Sequence, residues 1–244
     1  CESIDKNYDL VVAGGGIAGM CAAAAAARNG LKVALVNDRP VLGGNNSSEI
    51  RVHLGGYVEM EPYKGLGRMI REFGHTEKGN ARPAESYQDW KKQEFIDAEE
   101  NIDLYAPYHV MAVDTEDSEI ESVTAVHIET GEKVRLHGRL FADCTGDGTV
   151  GFLAGADWTM GRESRDEYGE RSAPVKADDM VMGASVQWYS RKCPQKTVFP
   201  EFSYGVEFNA SNCEKVTMGE WTWETGMNRD QIADAERVRD YGLL

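Results

Sequence analysis

The chain has 244 residues, 41% of them hydrophobic, with 41 acidic against 26 basic side chains and a net charge of −15. That length suits one or two domains with a large core, and the acidic balance speaks against phosphate backbones and anionic lipid as partners. No apolar run approaches the ~20 residues of a membrane span, and Cys1, Cys21, Cys144, Cys193 and Cys213 show neither CxxC nor zinc spacing, so no metal site is expected.

The chain opens on Cys1, for which two readings stand. It is either the acylated cysteine of a processed bacterial lipoprotein, with residues 2–7 as a polar tether, or an arbitrary starting point. The first reading supplies a lipid anchor and an extracytoplasmic location, the second a cytoplasmic one.

Chemistry begins at Tyr8-Asp9-Leu10-Val11-Val12-Ala13, an apolar, β-branched run of the kind buried in parallel sheets. It leads into Gly14-Gly15-Gly16-Ile17-Ala18-Gly19, which matches GxGxxG on Gly14, Gly16 and Gly19. Gly14 allows the turn off the strand, Gly16 admits a pyrophosphate to the backbone, and Gly19 lets the following helix lie close on the sheet. That helix is expected over 17–29, with six alanines at 22–27 and Gly30 as its stop. A second strand is expected over 32–36. Strand, glycine turn, helix and strand in this order make a Rossmann-like βαβ unit, with a dinucleotide's phosphates at the helix N-terminus. The acid that holds a ribose in such units is replaced by Asn37, with Asp38 directly after it. An amide oxygen can still accept from a hydroxyl, and which of the two residues serves is open.

Arg39-Pro40-Val41-Leu42-Gly43-Gly44-Asn45-Asn46-Ser47-Ser48 comes next. It resembles the extended fingerprint of glutathione-reductase-type flavoproteins, whose second strand leads to a Gly-Gly loop. The longer run from Leu42 to Gly56 resembles a narrower group, the bacterial FAD-dependent oxidoreductase family, and is distantly similar to fumarate-reductase-like flavoproteins. The resemblance implies FAD as cofactor, with Gly43, Gly44, Asn45, Ser47 and Ser48 along the flavin. The cysteine pair of disulfide reductases is missing between Cys21 and Cys144, which argues against electron transfer to a disulfide.

Residues 60–84 are rich in charge, Gly and Pro and read as an irregular surface excursion. A helix is expected over 86–101, with Trp90, Phe95, Ile96 and Ala98 roughly on one side. Segments 104–113, 120–129 and 133–136 then alternate as a three-stranded meander with turns between them. His109, His127 and His137 fall in or beside these strands and carry no assigned role.

The apolar run Gly138-Arg139-Leu140-Phe141-Ala142 ends in Asp143-Cys144-Thr145-Gly146-Asp147-Gly148, small residues of the kind a backbone needs when it passes close to a ligand. It resembles the second cofactor motif of the same flavoproteins, which implies Thr145, Gly146 and Asp147 as further FAD contacts. Cys144 has no cationic neighbour in sequence and reads as a packing residue.

The fold expected is therefore α/β, a Rossmann-like FAD-binding domain over 1–160 with a parallel sheet and a β-meander, and part of a substrate or cap region over 161–244. Trp188, Tyr189, Trp221 and Trp223 belong to that second part, as does a helix expected over 228–241. The flavoprotein class returns to its FAD site with a late Gly-Asp element. The only Gly-Asp pair here is Gly146-Asp147, so the chain is expected to be an N-terminal fragment of a longer enzyme. The resemblance implies hydride transfer between FAD and a small organic substrate, with Arg51, His53 and Glu49 as candidate catalytic groups. Arg51 suits a carboxylate or a reduced flavin anion, while Glu49 or His53 suits proton transfer. A local ion pair between Glu49 and Arg51 is the alternative role for those two. For the whole chain, the alternative is a non-catalytic dinucleotide-binding module or subunit.

Overall fold

The computed structural model describes residues 4–55, 61–65, 67–74, 78–183, 193–198, 209 and 211. Cys1, the four aromatic residues named above from 188 to 223 and the helix expected over 228–241 lie outside them. The chain divides into two compact units, Cys1–Asp157 and Trp158–Leu244.

The first unit is built on one six-stranded sheet. Strand β1 spans Ile4–Ala13, β2 Val33–Val36, β3 Ile102–Tyr105, β4 Tyr108–Glu116, β5 Glu119–His127 and β6 Lys133–Asp143, in the order β3-β2-β1-β6-β5-β4. The four strands β3, β2, β1 and β6 run parallel, and β5 and β4 continue the sheet antiparallel. All four residues of β2 are buried, as a central strand covered on both faces requires.

Helix α1, Ile17–Arg28, joins β1 to β2. Its alanines are packing residues: Ala23, Ala24 and Ala27 are buried against Val12, Val33 and Leu35, where small side chains let the helix approach the sheet. It stops as expected, because Gly30 takes a positive φ while Gly30 N–H and Leu31 N–H donate to Ala27 O and Ala26 O at 2.9 and 3.1 Å. The opposite face of the sheet packs Tyr8, Val11, Val36, Val110, Val123, Val134 and Leu136 into a second layer. On that layer, Tyr8 hydroxyl donates to Asp103 Oδ2 at 2.7 Å, and it lies 2.6 Å from the Tyr105 hydroxyl. Burial, with Asp103 alongside, keeps the Tyr8 phenol protonated.

Three expectations need correction. The 86–101 helix is shorter: a 3-10 turn covers Ala84–Tyr87, Gln88 adopts a left-handed conformation, and α3 spans only Asp89–Asp97. Trp90 lies exposed instead of beside Phe95 and Ile96, and the third buried member of that face is Lys92. The 3.6-residue period explains this, since 92, 95 and 96 share a stripe and 90 lies off it. The meander is present as β4-β5-β6, but its segments have other bounds. Its first segment splits at Pro107 into the parallel edge strand β3 and the antiparallel β4. Its third segment is continuous with the strand of the second glycine motif. Together these make β6, which pairs with β5 on one side and β1 on the other. The 60–84 excursion, where described, contains a short helix, α2, Arg68–Glu72.

In the second unit, the short helix α5, Arg165–Tyr168, lies in the segment closed by an antiparallel bridge between Arg162 and Asp178. Arg162 Nε donates to Asp178 Oδ1 at 2.8 Å, and its Nη2 pairs with Oδ2.

Candidate functional site

The chain leaves β1 toward β2 and β3 on one side, and β6 lies on the other. The C-terminal edge of β1 and β6 is therefore a topological switch point, where ligands of open parallel sheets bind. Ala13 and Asp143, the last residues of the two strands, are register partners there. Cys144 N–H donates to Ala13 O at 2.7 Å. The two glycine motifs, some 130 residues apart in the chain, thus lie side by side. The Gly-Gly loop closes the third side: Gly43 N–H donates to Gly15 O at 2.9 Å, and Gly16 and Gly43 form a parallel bridge.

Two glycines show what this arrangement is for. A Cβ on Gly19 would sit 1.8 Å from Gly14 O, so its absence is a demand of helix–turn packing. Among the described residues, and leaving aside its chain neighbours, a Cβ on Gly16 would meet nothing nearer than Gly44 Cα at 3.9 Å. Gly16 also has an ordinary φ of −69°, so nothing inside the fold requires glycine there. What a side chain at 16 would obstruct is the space in front of α1.

That helix N-terminus carries no side-chain cap and no acidic residue in its first turn. The short helix α4, Thr149–Leu153, at the neighbouring strand end is the opposite case. Thr149 N–H donates to Thr145 Oγ1 at 2.9 Å, and Gly151 N–H to Asp143 Oδ2 at 3.0 Å. Asp143 Oδ1 accepts from Thr145 N–H and hydroxyl at 3.1 and 2.6 Å. Burial alone would raise this carboxyl. The donors on Thr145, Gly151 and Val150 outweigh it and hold Asp143 below the usual aspartate range. One N-terminus at this edge is filled by the protein's own carboxylate, and the other, that of α1, has no side-chain cap.

The sign of the Asp143 shift gives a prediction. A carboxyl depressed in the folded state contributes stability above its unfolded value of about 3.9, and that stability is lost as pH falls through the lower folded value. Asp143→Ala should cost about 1–2 kcal/mol in urea unfolding at pH 7, the usual worth of a helix cap. The gap to wild type should narrow as pH falls below the unfolded value of about 3.9; a gap independent of pH would refute the cap.

The remaining cofactor candidates divide by how they are used. Asn37 is 3% exposed, and its whole amide is engaged with the two loops. Its Oδ1 accepts from Gly15 N–H at 3.2 Å, while Nδ2 donates to Arg39 O at 2.7 Å and Val41 O at 3.0 Å. Asn37 therefore ties the glycine turn to the chain leaving β2. Asp38 is exposed and faces His109 Nδ1 at 3.6 Å. Asn45 is exposed, Ser47 is fully buried with its hydroxyl accepting from Glu49 N–H at 3.3 Å, and Ser48 N–H is held by the Asp89 carboxylate at 3.1 and 3.2 Å. Gly146 faces open space, and Asp147 is exposed beside it. Cys144 is half-buried, and burial pushes its thiol up, as suits a packing residue.

The catalytic candidates lie on the same loop but are not paired with one another. Glu49 binds Arg39, with Nη1 to Oε2 at 3.2 Å, and not Arg51. Arg51 has a positive φ of 64° and turns its Nε back to Ser48 O at 2.7 Å. Its carbonyl accepts from Ala81 N–H at 2.9 Å and from the buried Tyr87 hydroxyl. His53 is half-buried, with Nδ1 2.7 Å from Asn80 Oδ1.

Two supports escaped the sequence reading. Lys92 is 1% exposed, with Nζ 2.5 Å from Tyr87 O and 3.7 Å from Asp89 Oδ1. Its stem lies under the Gly43 backbone, so close that a Cβ on Gly43 would come within 2.6 Å of Lys92 Cδ. Burial lowers the ammonium pKa, with Asp89 opposing. Asn80 is the second support. Neither carries a motif, and both act through contacts far away in the chain, Lys92 on Gly43 about fifty residues before it and Asn80 on His53 27 residues before it.

Comparison with known proteins gives the following. The model of a family described as FAD dependent oxidoreductase matches residues 9–240. The soluble pyridine nucleotide transhydrogenase of Ectopseudomonas mendocina (strain ymp) is 46% identical over 66 residues, 27% of this chain and 12% of that protein. Among solved structures, an L-proline dehydrogenase from P. horikoshii aligns with 59% of this chain and 24% of its own at 18% identity, with a TM-score of 0.37. The flavin-dependent brominase Bmp2 aligns with 62% of this chain and 41% of its own at 14% identity, with a TM-score of 0.42. The matched region is a minor part of each of these relatives.

Proposed function

The chain belongs to the FAD dependent oxidoreductase family, and on that premise we propose that the β1/β6 edge seats FAD for hydride exchange with a small organic substrate. The observation that carries this reading is the meeting of the Gly14–Gly19 turn, the Gly43–Gly44 loop and the 143–148 segment around the uncapped end of α1. Bound FAD supplies the two-electron chemistry, and the protein supplies placement and electrostatics.

In this reading the N–H groups opening α1 bind the pyrophosphate, and Gly16 keeps their approach clear. Asn37 holds the turn in shape, and Asp38 is the acid left at the strand end for a ribose hydroxyl. The 43–53 loop lines the flavin, with Gly146 and Asp147 on its other flank. Arg51 Nη groups bind a substrate carboxylate or stabilise negative charge on the reduced ring system. His53 receives or returns the substrate proton. Glu49, engaged with Arg39, shapes the loop. Residues 1–160 form the cofactor domain and 161–244 contribute to a substrate or cap region.

The test is direct. Purified chain is expected to carry, or to take up from added FAD, the visible absorbance of a bound flavin. A colourless sample that ignores added FAD defeats the reading. A panel of sugars, hydroxy acids, NADH and NADPH should then bleach the flavin for one substrate class. With that substrate, Arg51→Ala should lower kcat/KM about tenfold or more, as expected for a lost charge-assisted contact; unchanged turnover removes Arg51 from the site.

A further inference from the structure

His53 touches Asn80 twice. Its backbone N–H donates to Asn80 Oδ1 at 3.1 Å, and its ring Nδ1 lies 2.7 Å from the same atom. The first contact identifies the Asn80 atom as oxygen, because a backbone N–H needs an acceptor. An amide oxygen cannot donate, so the proton of the second contact must sit on Nδ1. Nε2 of the neutral ring then carries the lone pair. Neutral imidazole in water favours the opposite form, so the tautomer is imposed by the fold.

The surroundings keep this assignment in place. Ala81 N–H donates to Arg51 O at 2.9 Å, which stitches the Asn80 segment to the loop bearing His53. Gly55 lies on the Nε2 side of the ring, where a Cβ would stand 3.9 Å from Nε2. Arg51 Nε donates to Ser48 O, and Arg82 Nε and Nη2 both donate to Lys78 O.

We propose that Asn80 is the positioning residue of His53, locking the imidazole as the Nδ1–H tautomer so that Nε2 is the nitrogen that exchanges protons with substrate. The chemical half of this rests on the proton-transfer role given to His53 above; the tautomer does not.

The experiment is nitrogen-15 NMR of the full chain with labelled histidine, at mildly alkaline pH where imidazole is ordinarily neutral. His53→Gln identifies the His53 signals among the five histidines. Wild type should show the ring proton of His53 on Nδ1. Asn80→Ala should return it to the solution mixture dominated by Nε2–H, and Asn80→Asp, which keeps the acceptor, should restore the wild-type pattern. The wild-type spectrum is decisive even where Asn80→Ala fails to fold. A proton on Nε2 in wild type, or an unchanged pattern in folded Asn80→Ala, overturns the proposal. If the spectra come out as expected while His53→Gln leaves flavin reduction by the panel's substrate unchanged, Asn80 keeps its role on the ring, and the proton-transfer reading is what fails.

Discussion

Gly16→Ala is expected to leave the chain folded and strip it of flavin. The new methyl has an ordinary φ to adopt and, among the described residues beyond its chain neighbours, no atom nearer than 3.9 Å, so its stability cost should be no more than the few tenths of a kcal/mol to about 1 kcal/mol of an altered N-cap. In the proposed site it would stand at the N-cap of α1, where the pyrophosphate is to reach the helix N–H groups. Affinity for FAD should fall by about 100-fold or more, or about 2.8 kcal/mol. Gly19→Ala provides the contrast. Its methyl would meet Gly14 O at 1.8 Å, backbone against backbone, and the helix would have to lift from the sheet. That should cost more than about 3 kcal/mol and leave little folded protein at 37 °C. Urea unfolding of the apo forms, beside flavin fluorescence titration, separates the two. Equal flavin affinity in Gly16→Ala and wild type would show that the cradle is not where the pyrophosphate lies.

Asn37→Asp should destabilise, although it restores the acid that dinucleotide sites of this type ordinarily carry. Asn37 donates to Arg39 O and Val41 O, and an ionised carboxylate has nothing to donate. It would place a buried negative charge against two carbonyl oxygens in a position only 3% exposed. The expected loss is about 2–4 kcal/mol at pH 7. A protonated carboxyl regains one donor, so the aspartate introduced there is driven toward its neutral form. The deficit should shrink as pH falls toward 4, because the penalty belongs to the ionised form. FAD affinity should not improve, and with Asp38 as the ribose acid it is Asp38→Asn that should weaken binding. Wild-type stability in Asn37→Asp would mean that Asn37 faces the ligand, not the two loops.

The βαβ unit was legible from the apolar strand, the spacing of Gly14, Gly16 and Gly19, and Gly30 past the helix, although β1 begins at Ile4 and takes in most of the stretch read as a polar tether. These are local signals, in which each residue's role depends on neighbours within one or two turns. The 86–101 helix was misjudged because nothing local reveals that Gln88 turns left-handed or that a lysine takes the buried stripe. Burial of Lys92 depends on Asp89, the Tyr87 carbonyl and the flat Gly43 backbone above its stem. The meander was read as three strands, but periodicity says nothing about which sheet a strand joins. Only its register with both β1 and β5 makes β6 part of the nucleotide edge.

What the sequence by itself determined is the class of the fold and its cofactor: a glycine turn between strand and helix, and a Gly-Gly loop after the second strand. Such motifs are dictated by local sterics and by the need for bare backbone at a phosphate. Tertiary structure alone decided how the polar residues around them are spent. Asn37 became a clamp, Asp143 and Thr145 closed one helix end while α1 stayed open, Glu49 went to Arg39, and Asn80 chose the nitrogen on His53. A hydrogen-bond partner is set by which atoms lie within about 3 Å, and spacing along a chain does not hold that information.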